Sequence, residues 1–242
     1  MRRWIRASAC FALSVGACST APVVERRTAV ERGRDLFSGT GASDSSANKF
    51  ACSTCHPSPE GQSDHIFPGA KLGGATSRPT FWGGKTVDLL TAINDCRYFF
   101  MSAQRPWTRE DEDAKGMYAF LSSLPPGSTG PVPFTVPATA TDLPRGSSSA
   151  GQGIYERACR SCHGAALTGA GRLGTTIPVL PDQSVASFKA YGFDATQVRL
   201  SFIEKVRHGG FLGLYGNMPP YSMEVLSDAD LASLLAFLNL YP

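Results

Sequence analysis

The same five-residue pattern occurs twice in this chain of 242 residues, once in each half. Cys52-Ser53-Thr54-Cys55-His56 and Cys159-Arg160-Ser161-Cys162-His163 both read C-x-x-C-H. Two cysteines three positions apart on one helical turn can form thioethers with the two vinyl groups of one porphyrin, while the adjacent histidine presents its imidazole to the iron. This spacing is the attachment signature of c-type haem.

A C-x-x-C pair alone can also be a redox dithiol or half of a zinc site. A thioredoxin-like dithiol needs a βαβ context, which the sequence does not show, and zinc needs four ligands at each site. The histidine that directly follows the second cysteine in both copies argues against both alternatives. We therefore predict two covalently bound haem c groups. The predicted attachment residues and proximal iron ligands are Cys52, Cys55, His56, Cys159, Cys162 and His163.

The composition is that of an ordinary globular protein, with 42% hydrophobic and 18% charged residues. Lys plus Arg (23) exceeds Asp plus Glu (20), but Arg2, Arg3 and Arg6 lie in a basic N-terminal segment that carries no acidic residue. Without that segment no basic surplus remains, and there is no electrostatic footprint for nucleic acid or an anionic membrane surface. Charge alone therefore names no partner. We expect no nucleic acid, and the two predicted haems imply redox proteins as partners.

Residues 1–17 have the layout of an export signal. A basic start is followed by an apolar run that is too short to span a bilayer. The run ends in Val15-Gly16-Ala17-Cys18, which resembles the bacterial lipoprotein signal, in which the cysteine is lipidated and becomes the mature N-terminus. Ordinary cleavage near Ala17 or Ala21 is the alternative. We expect a periplasmic protein held at a bacterial membrane only through a lipid on Cys18.

Helical segments flank both motifs. Residues 151–158 run straight into Cys159 and resemble the N-terminal helix of class I cytochromes c. Ser227-Asp228-Ala229-Asp230 is typical of a capping box before a leucine-rich helix, and Thr108-Arg109-Glu110-Asp111 opens a similar segment in the first half. In class I cytochromes c the C-terminal helix packs on the N-terminal one. The resemblance implies an all-α fold of two tandem cytochrome c-like haem domains.

The segment between the two halves contains six prolines and a Gly-Ser-Ser-Ser run without apolar periodicity, which is typical of a linker. A chain ending at Pro125 is then expected to fold and to hold one haem. The predicted division is a signal peptide (1–17), a tether (18–29), a first cytochrome c domain (30–124), a linker (125–149) and a second cytochrome c domain (150–242).

The sixth iron ligand decides whether such a haem only transfers electrons or also meets a substrate, because a second protein ligand closes the open face of the iron. In the second half, Gly216-Asn217-Met218-Pro219-Pro220 precedes the last helix and resembles the methionine loop of class I cytochromes c. Met218 is therefore the predicted ligand. Met223 is the competing methionine, and His208 would give a bis-histidine site.

Several side chains compete for the sixth position in the first half. Met101 occupies the corresponding interval before the last helix, and we predict it as the ligand. Met117 lies inside that helix among apolar residues, which favours a core role. Cys96 is the main competitor, because a thiolate binds iron strongly and lowers its potential relative to methionine. His65 is a further candidate.

A second, shorter resemblance bears on activity. Ile93-Asn94-Asp95-Cys96 ahead of a helix is similar to the first haem domain of thiosulfate dehydrogenases, di-haem periplasmic proteins in which a cysteine binds the active-site haem. The leading interpretation remains a membrane-tethered electron carrier with methionine–histidine ligation. The alternative is an oxidoreductase of a small sulfur anion such as thiosulfate, which would need cations from among Arg78, Lys85, Arg97 and Arg105. A di-haem peroxidase is a third hypothesis.

Overall fold

The computed structural model describes residues 27–57, 63–213 and 215–241. Within these residues there is no β-strand, and an isolated bridge pairs Phe81 with Thr86. The all-α fold predicted from the sequence is confirmed. The α-helices of the described residues are α1 (Ala29–Ser38), α2 (Cys52–Cys55), α3 (Leu89–Phe99), α4 (Glu112–Ser123), α5 (Ser148–Ala158), α6 (Arg160–His163), α7 (Asp182–Ala190), α8 (Ala195–His208) and α9 (Asp228–Phe237).

The predicted signal peptide and Cys18 lie outside the described residues. None of the described helices is both long enough and apolar enough to cross a membrane.

The helices begin where their capping residues predict. Helix α9 has a capping box in which Asp230 N–H donates to Ser227 Oγ at 3.1 Å and the Asp230 carboxylate accepts from Ser227 N–H. Helix α4 begins later than the sequence Thr108-Arg109-Glu110-Asp111 predicts. The Asp111 carboxylate accepts from Thr108 N–H at 2.7 Å, so this turn closes on itself and the helix begins at Glu112.

Each half is closed by a close crossing of its first and last helices. A Cβ on Gly33 of α1 would lie 2.0 Å from the carbonyl oxygen of Gly116 on α4, and a Cβ on Gly151 of α5 would lie 1.9 Å from that of Ser233 on α9. Only glycine therefore permits these approaches. Four residues after each glycine, an aromatic ring packs against the last helix, in the pairs Phe37–Phe120 and Tyr155–Phe237.

Gly151→Ala is expected to lower the free energy of unfolding by about 1–3 kcal/mol, the usual cost of forcing extra carbon into close packing. Gly153→Ala, on the same helix, is the matched control, because no heavy atom lies within 4 Å of its added Cβ. Since alanine favours helix over glycine, this control is expected to be neutral or to stabilise by up to about 1 kcal/mol. Urea unfolding of the holoprotein measures both, and equal effects would contradict the close crossing.

Residues 125–147 connect α4 to α5 and pack on both halves. The Phe134 ring lies edge-on to Trp82 of the first half, with 5.5 Å between centroids. The next residue, Thr135, donates its N–H to the Glu224 carboxylate of the second half at 2.9 Å. Hydrogen bonds from the Thr135 hydroxyl and N–H lower the pKa of Glu224 to about 2. The segment predicted as a linker thus packs along the surface of both halves. Residues 125–147 are called the strap below.

Candidate haem sites

The first C-x-x-C-H motif lies on the single turn of α2, with His56 at its C-terminal end. The Thr54 hydroxyl accepts from Ala51 N–H at 3.0 Å, so a residue between the two cysteines caps the turn that carries them. Burial raises the pKa of the Cys52 thiol to about 11 and also raises the pKa of Cys55. Both thiols are therefore uncharged at neutral pH.

His56 is held through Nδ1, which donates to the carbonyl oxygen of Ala70 at 2.8 Å. Burial lowers the pKa of the imidazole, so the ring is neutral at neutral pH. Because a carbonyl only accepts, the single ring proton lies on Nδ1 and the lone pair on Nε2. Gly69 packs against the ring, since a Cβ there would lie 2.5 Å from Nδ1. Nε2 is thereby left free to bind iron.

His163 in the second motif is held in the same way. Its Nδ1 donates to the carbonyl oxygen of Pro178 at 2.9 Å, and burial lowers the pKa of the imidazole. Burial raises the pKa of Cys159 to about 12 and that of Cys162 as well. Each motif therefore offers two neutral thiols and one imidazole nitrogen with a free lone pair, and a backbone bond orients that imidazole.

Three parts of the chain enclose a cavity beside the first motif. Cys52, Cys55 and His56 line it together with apolar side chains of the first half. The strap contributes residues 132–134. The second half contributes Pro219, Pro220, Ser222 and Val225. An apolar wall around two thiols and an imidazole nitrogen fits a covalently attached porphyrin, and these residues would hold it.

Both main competitors for the sixth position of the first site line this cavity. Cys96 on α3 is half-buried, and burial raises the pKa of its thiol well above the usual range. Met101 is only 3% exposed and packs within the apolar core of the first half, which also contains Met117. His65 does not line the cavity, and its Nδ1 faces the carbonyl oxygen of Arg157 at 3.1 Å. Met101 stays a prediction.

In the second half, Met218 is half-buried and packs against the apolar cluster that contains Cys159. Its carbonyl oxygen accepts from Gly210 N–H at 2.7 Å, which ties the methionine loop to the end of α8. Met223 is exposed. Both ring nitrogens of His208 are engaged, Nδ1 by the Glu204 carboxylate and Nε2 by the carbonyl oxygen of Pro137 at 2.6 Å. This packing favours Met218 among the three predicted alternatives.

The two halves are joined beside the motifs. A backbone hydrogen bond runs from Ile66 N–H to the carbonyl oxygen of Arg157, two residues before Cys159, at 3.0 Å. Ile66 packs against the apolar cluster of the second half. The two candidate sites thus form one connected region.

Several residues of these sites carry no signature in the sequence. The carbonyl acceptors of Ala70 and Pro178 belong to the backbone, and any residue type offers one. The cavity residues of the second half are distant in sequence from the motif that they face. One sequence signal does indicate the helix crossings, a glycine followed four residues later by an aromatic residue ahead of each motif. The pairs are Gly33 with Phe37 and Gly151 with Tyr155.

Residues 146–238, less than half of the chain, match the family model of cytochrome c oxidase, cbb3-type, subunit III. The chain is also similar to the solved structure of thiosulfate dehydrogenase from Marichromatium purpuratum in its as-isolated form, with 17% sequence identity and a TM-score of 0.41. That similarity covers 87% of this chain and 45% of the other, so this chain spans less than half of the solved one. No curated protein matches the sequence.

The matched residues contain the second motif with its anchored histidine and the methionine loop. The second half of this chain, over residues 146–238, is therefore a cytochrome c-type domain, the kind of domain that binds haem c covalently.

Proposed function

We propose that this protein is a two-haem cytochrome c that carries single electrons between redox partner proteins. One observation carries the proposal: in both motifs the histidine is anchored through Nδ1 to a backbone carbonyl, which leaves Nε2 free beside two neutral thiols. Bound haem supplies a one-electron iron couple at each site. The chain's own contribution is to attach the porphyrins, orient the imidazoles and exclude water.

Met101 and Met218 are the proposed sixth ligands. Thioether sulfur paired with imidazole favours ferrous iron and raises the potential, which suits a carrier that accepts electrons readily. Met218 is supported by its packing on the cluster of Cys159 and by the backbone bond that holds its loop. Met101 is supported by its place on the wall of the first cavity.

We place this carrier outside the cytoplasm. Proteins with c-type haem are typically periplasmic or membrane-associated, and the basic, apolar leader of residues 1–17 agrees with export. A lipid on Cys18 would hold the protein at a membrane. Its partners would be redox proteins that approach from the aqueous side.

Haem content and ligation test the proposal. The purified protein is expected to contain two haems per chain, and Met218→Ala is expected to abolish the methionine-to-iron absorption band of one of them. Electron paramagnetic resonance of oxidised wild type, Met101→Ala and Cys96→Ala then assigns the first site. If Met101→Ala alone changes the first haem, both irons have methionine–histidine ligation. A chain with one haem would refute the two-haem carrier.

A second candidate function is oxidation of a small sulfur anion at the first site, and two observations favour it. Cys96 and Met101 both line the cavity, and Cys96 is half-buried whereas Met101 is buried. Arg78 and Arg97 also line the cavity, and neither has a carboxylate within 4 Å among the described residues. Their hydrogen bonds go to neutral oxygens, such as the carbonyl oxygens of Lys71 and Ala42. Such cations suit an anionic ligand.

The four cations proposed from the sequence separate in the structure. Arg78 and Arg97 reach the cavity, whereas Lys85 is exposed and Arg105 is paired with Asp111 at 3.1 Å.

If Cys96→Ala abolishes a low-spin thiolate signal, the first site is a catalytic candidate. Thiosulfate should then perturb its spectrum in the wild type and lose this effect in Arg97→Gln. No perturbation by thiosulfate would leave the carrier as the function.

A further inference from the structure

One short segment of the second half forms the wall between the two candidate sites. Met218 and Tyr221 pack with the apolar cluster of the second half, which contains Cys159. Pro219 and Pro220, which lie between them in sequence, line the cavity of the first motif. Residues 218–222 therefore face both sites, and a displacement of this segment changes both.

Tyr221 occupies the centre of this wall. Its side chain is buried, with 6% exposure, and its phenol donates to the carbonyl oxygen of Ala158 at 2.7 Å, directly before the second motif. Burial, followed by the nearby thiols of Cys159, Cys55 and Cys162, raises the pKa of the phenol well above its usual range. Tyr221 thus stays protonated and keeps its hydrogen bond beside the second motif.

The segment is also fixed at points on either side of this ring. Asn217 donates from Nδ2 to the carbonyl oxygen of Phe99 at 3.1 Å, which holds the start of the segment to the first half. Arg207 donates from Nη1 to the carbonyl oxygen of Tyr221 itself at 3.1 Å. The bond to Ala158 is the one that ties the ring to the second motif. The wall is therefore held from both halves, with Tyr221 at the junction.

We propose that Tyr221 is the positioning residue for electron transfer between the two haems, because its ring and hydrogen bond hold in place the segment 218–222 that faces both sites. This inference rests on the proposed two-haem function. In the step one electron passes from one iron to the other, so that one is oxidised as the other is reduced. No bond forms or breaks, and the phenol keeps its proton.

The test compares Tyr221→Phe with Tyr155→Phe in the holoprotein. Tyr155 is the matched control, because it is also fully buried, donates its phenol to a backbone carbonyl (Gly164, 2.9 Å) and lies beside the second motif. Tyr155 lies on α5, outside the segment 218–222. Rapid reduction by pulse radiolysis, followed optically, measures electron redistribution between the haems. Low-temperature paramagnetic resonance measures their magnetic coupling.

Tyr221→Phe is expected to slow the redistribution by about tenfold or more and to weaken the magnetic coupling, because displacing a reacting group by about 1 Å can cost orders of magnitude in rate. Tyr155→Phe is expected to keep the wild-type rate and coupling. Haem content and melting temperature, measured on the same samples, separate this effect from misfolding.

Wild-type rates in Tyr221→Phe, or equal losses in both variants, would overturn the positioning role while leaving a two-haem carrier. One haem per chain in the wild type would instead overturn the proposed function, and this inference with it. If Tyr221→Phe does not fold, Asn217→Ala takes its place, because it removes the bond that holds the start of the same segment to Phe99. Slower redistribution and weaker coupling in a folded Asn217→Ala support the positioning role of the segment, and wild-type values there contradict it.

Discussion

A chain that ends at Pro125 is expected to lose the low-spin spectrum and the cooperative unfolding of the first haem site, whether or not porphyrin is attached. The walls formed by residues 132–134 and by Pro219, Pro220 and Val225 would be missing, so water would reach the cavity. Trp82 would also lose its stacked neighbour Phe211, at 4.5 Å between centroids, and its edge-on neighbour in the strap. Such aromatic pairs add about 0.5–1.5 kcal/mol each beyond their buried area.

This expectation is opposite to the one that follows from the sequence, in which the first half closes its own site. The measurement is absorption spectroscopy and thermal unfolding of the shortened chain. The control is a full chain cut by a specific protease at a site introduced in the exposed residues 128–129, because it keeps every lining residue and loses only the covalent connection. The cut chain should retain the wild-type spectrum. A shortened chain with the same spectrum and melting temperature would show that the first half is self-sufficient.

Arg207→Leu is expected to lower the free energy of unfolding by about 1–3 kcal/mol, the range for leaving a buried hydrogen-bond acceptor without its donor. The Arg207 side chain is 2% exposed and donates to Asp228 at 2.6 Å. It also donates from Nη1 to the carbonyl oxygen of Leu226 at 2.6 Å. Leucine satisfies none of these acceptors. The methionine loop and the start of α9 should therefore loosen together.

Arg27→Leu is the control for this substitution. Arg27 also pairs with an aspartate at 2.6 Å, but the two side chains are 74% and 57% exposed. A surface pair of this kind is worth at most about 1 kcal/mol. Urea unfolding of the holoproteins gives both values, and a similar loss in the two variants would mean that burial does not decide the strength of the Arg207 bonds.

The local chemistry of this protein can be predicted from its sequence. The C-x-x-C-H spacing depends only on neighbouring positions of one helical turn, and so two haem-attachment motifs follow without knowledge of the fold. The capping box before α9 and the leucines after it likewise predict a helix from residues within a few positions of one another. Repetition of these local signals in each half predicted the all-α, cytochrome c-like architecture.

The sequence alone predicted which residues attach haem, and it determined the helices that precede the second motif and end each half, because those properties depend on short-range spacing. Only the tertiary structure decided how the sites are built: that His56 and His163 are anchored through Nδ1, that Pro219 and Pro220 of the second half close the first cavity, and that Tyr221 bonds to the backbone directly before the second motif. The physical reason is that these contacts join residues distant in the chain. They depend on how helices cross and what side-chain volume remains between them, and they leave no periodic pattern in the sequence.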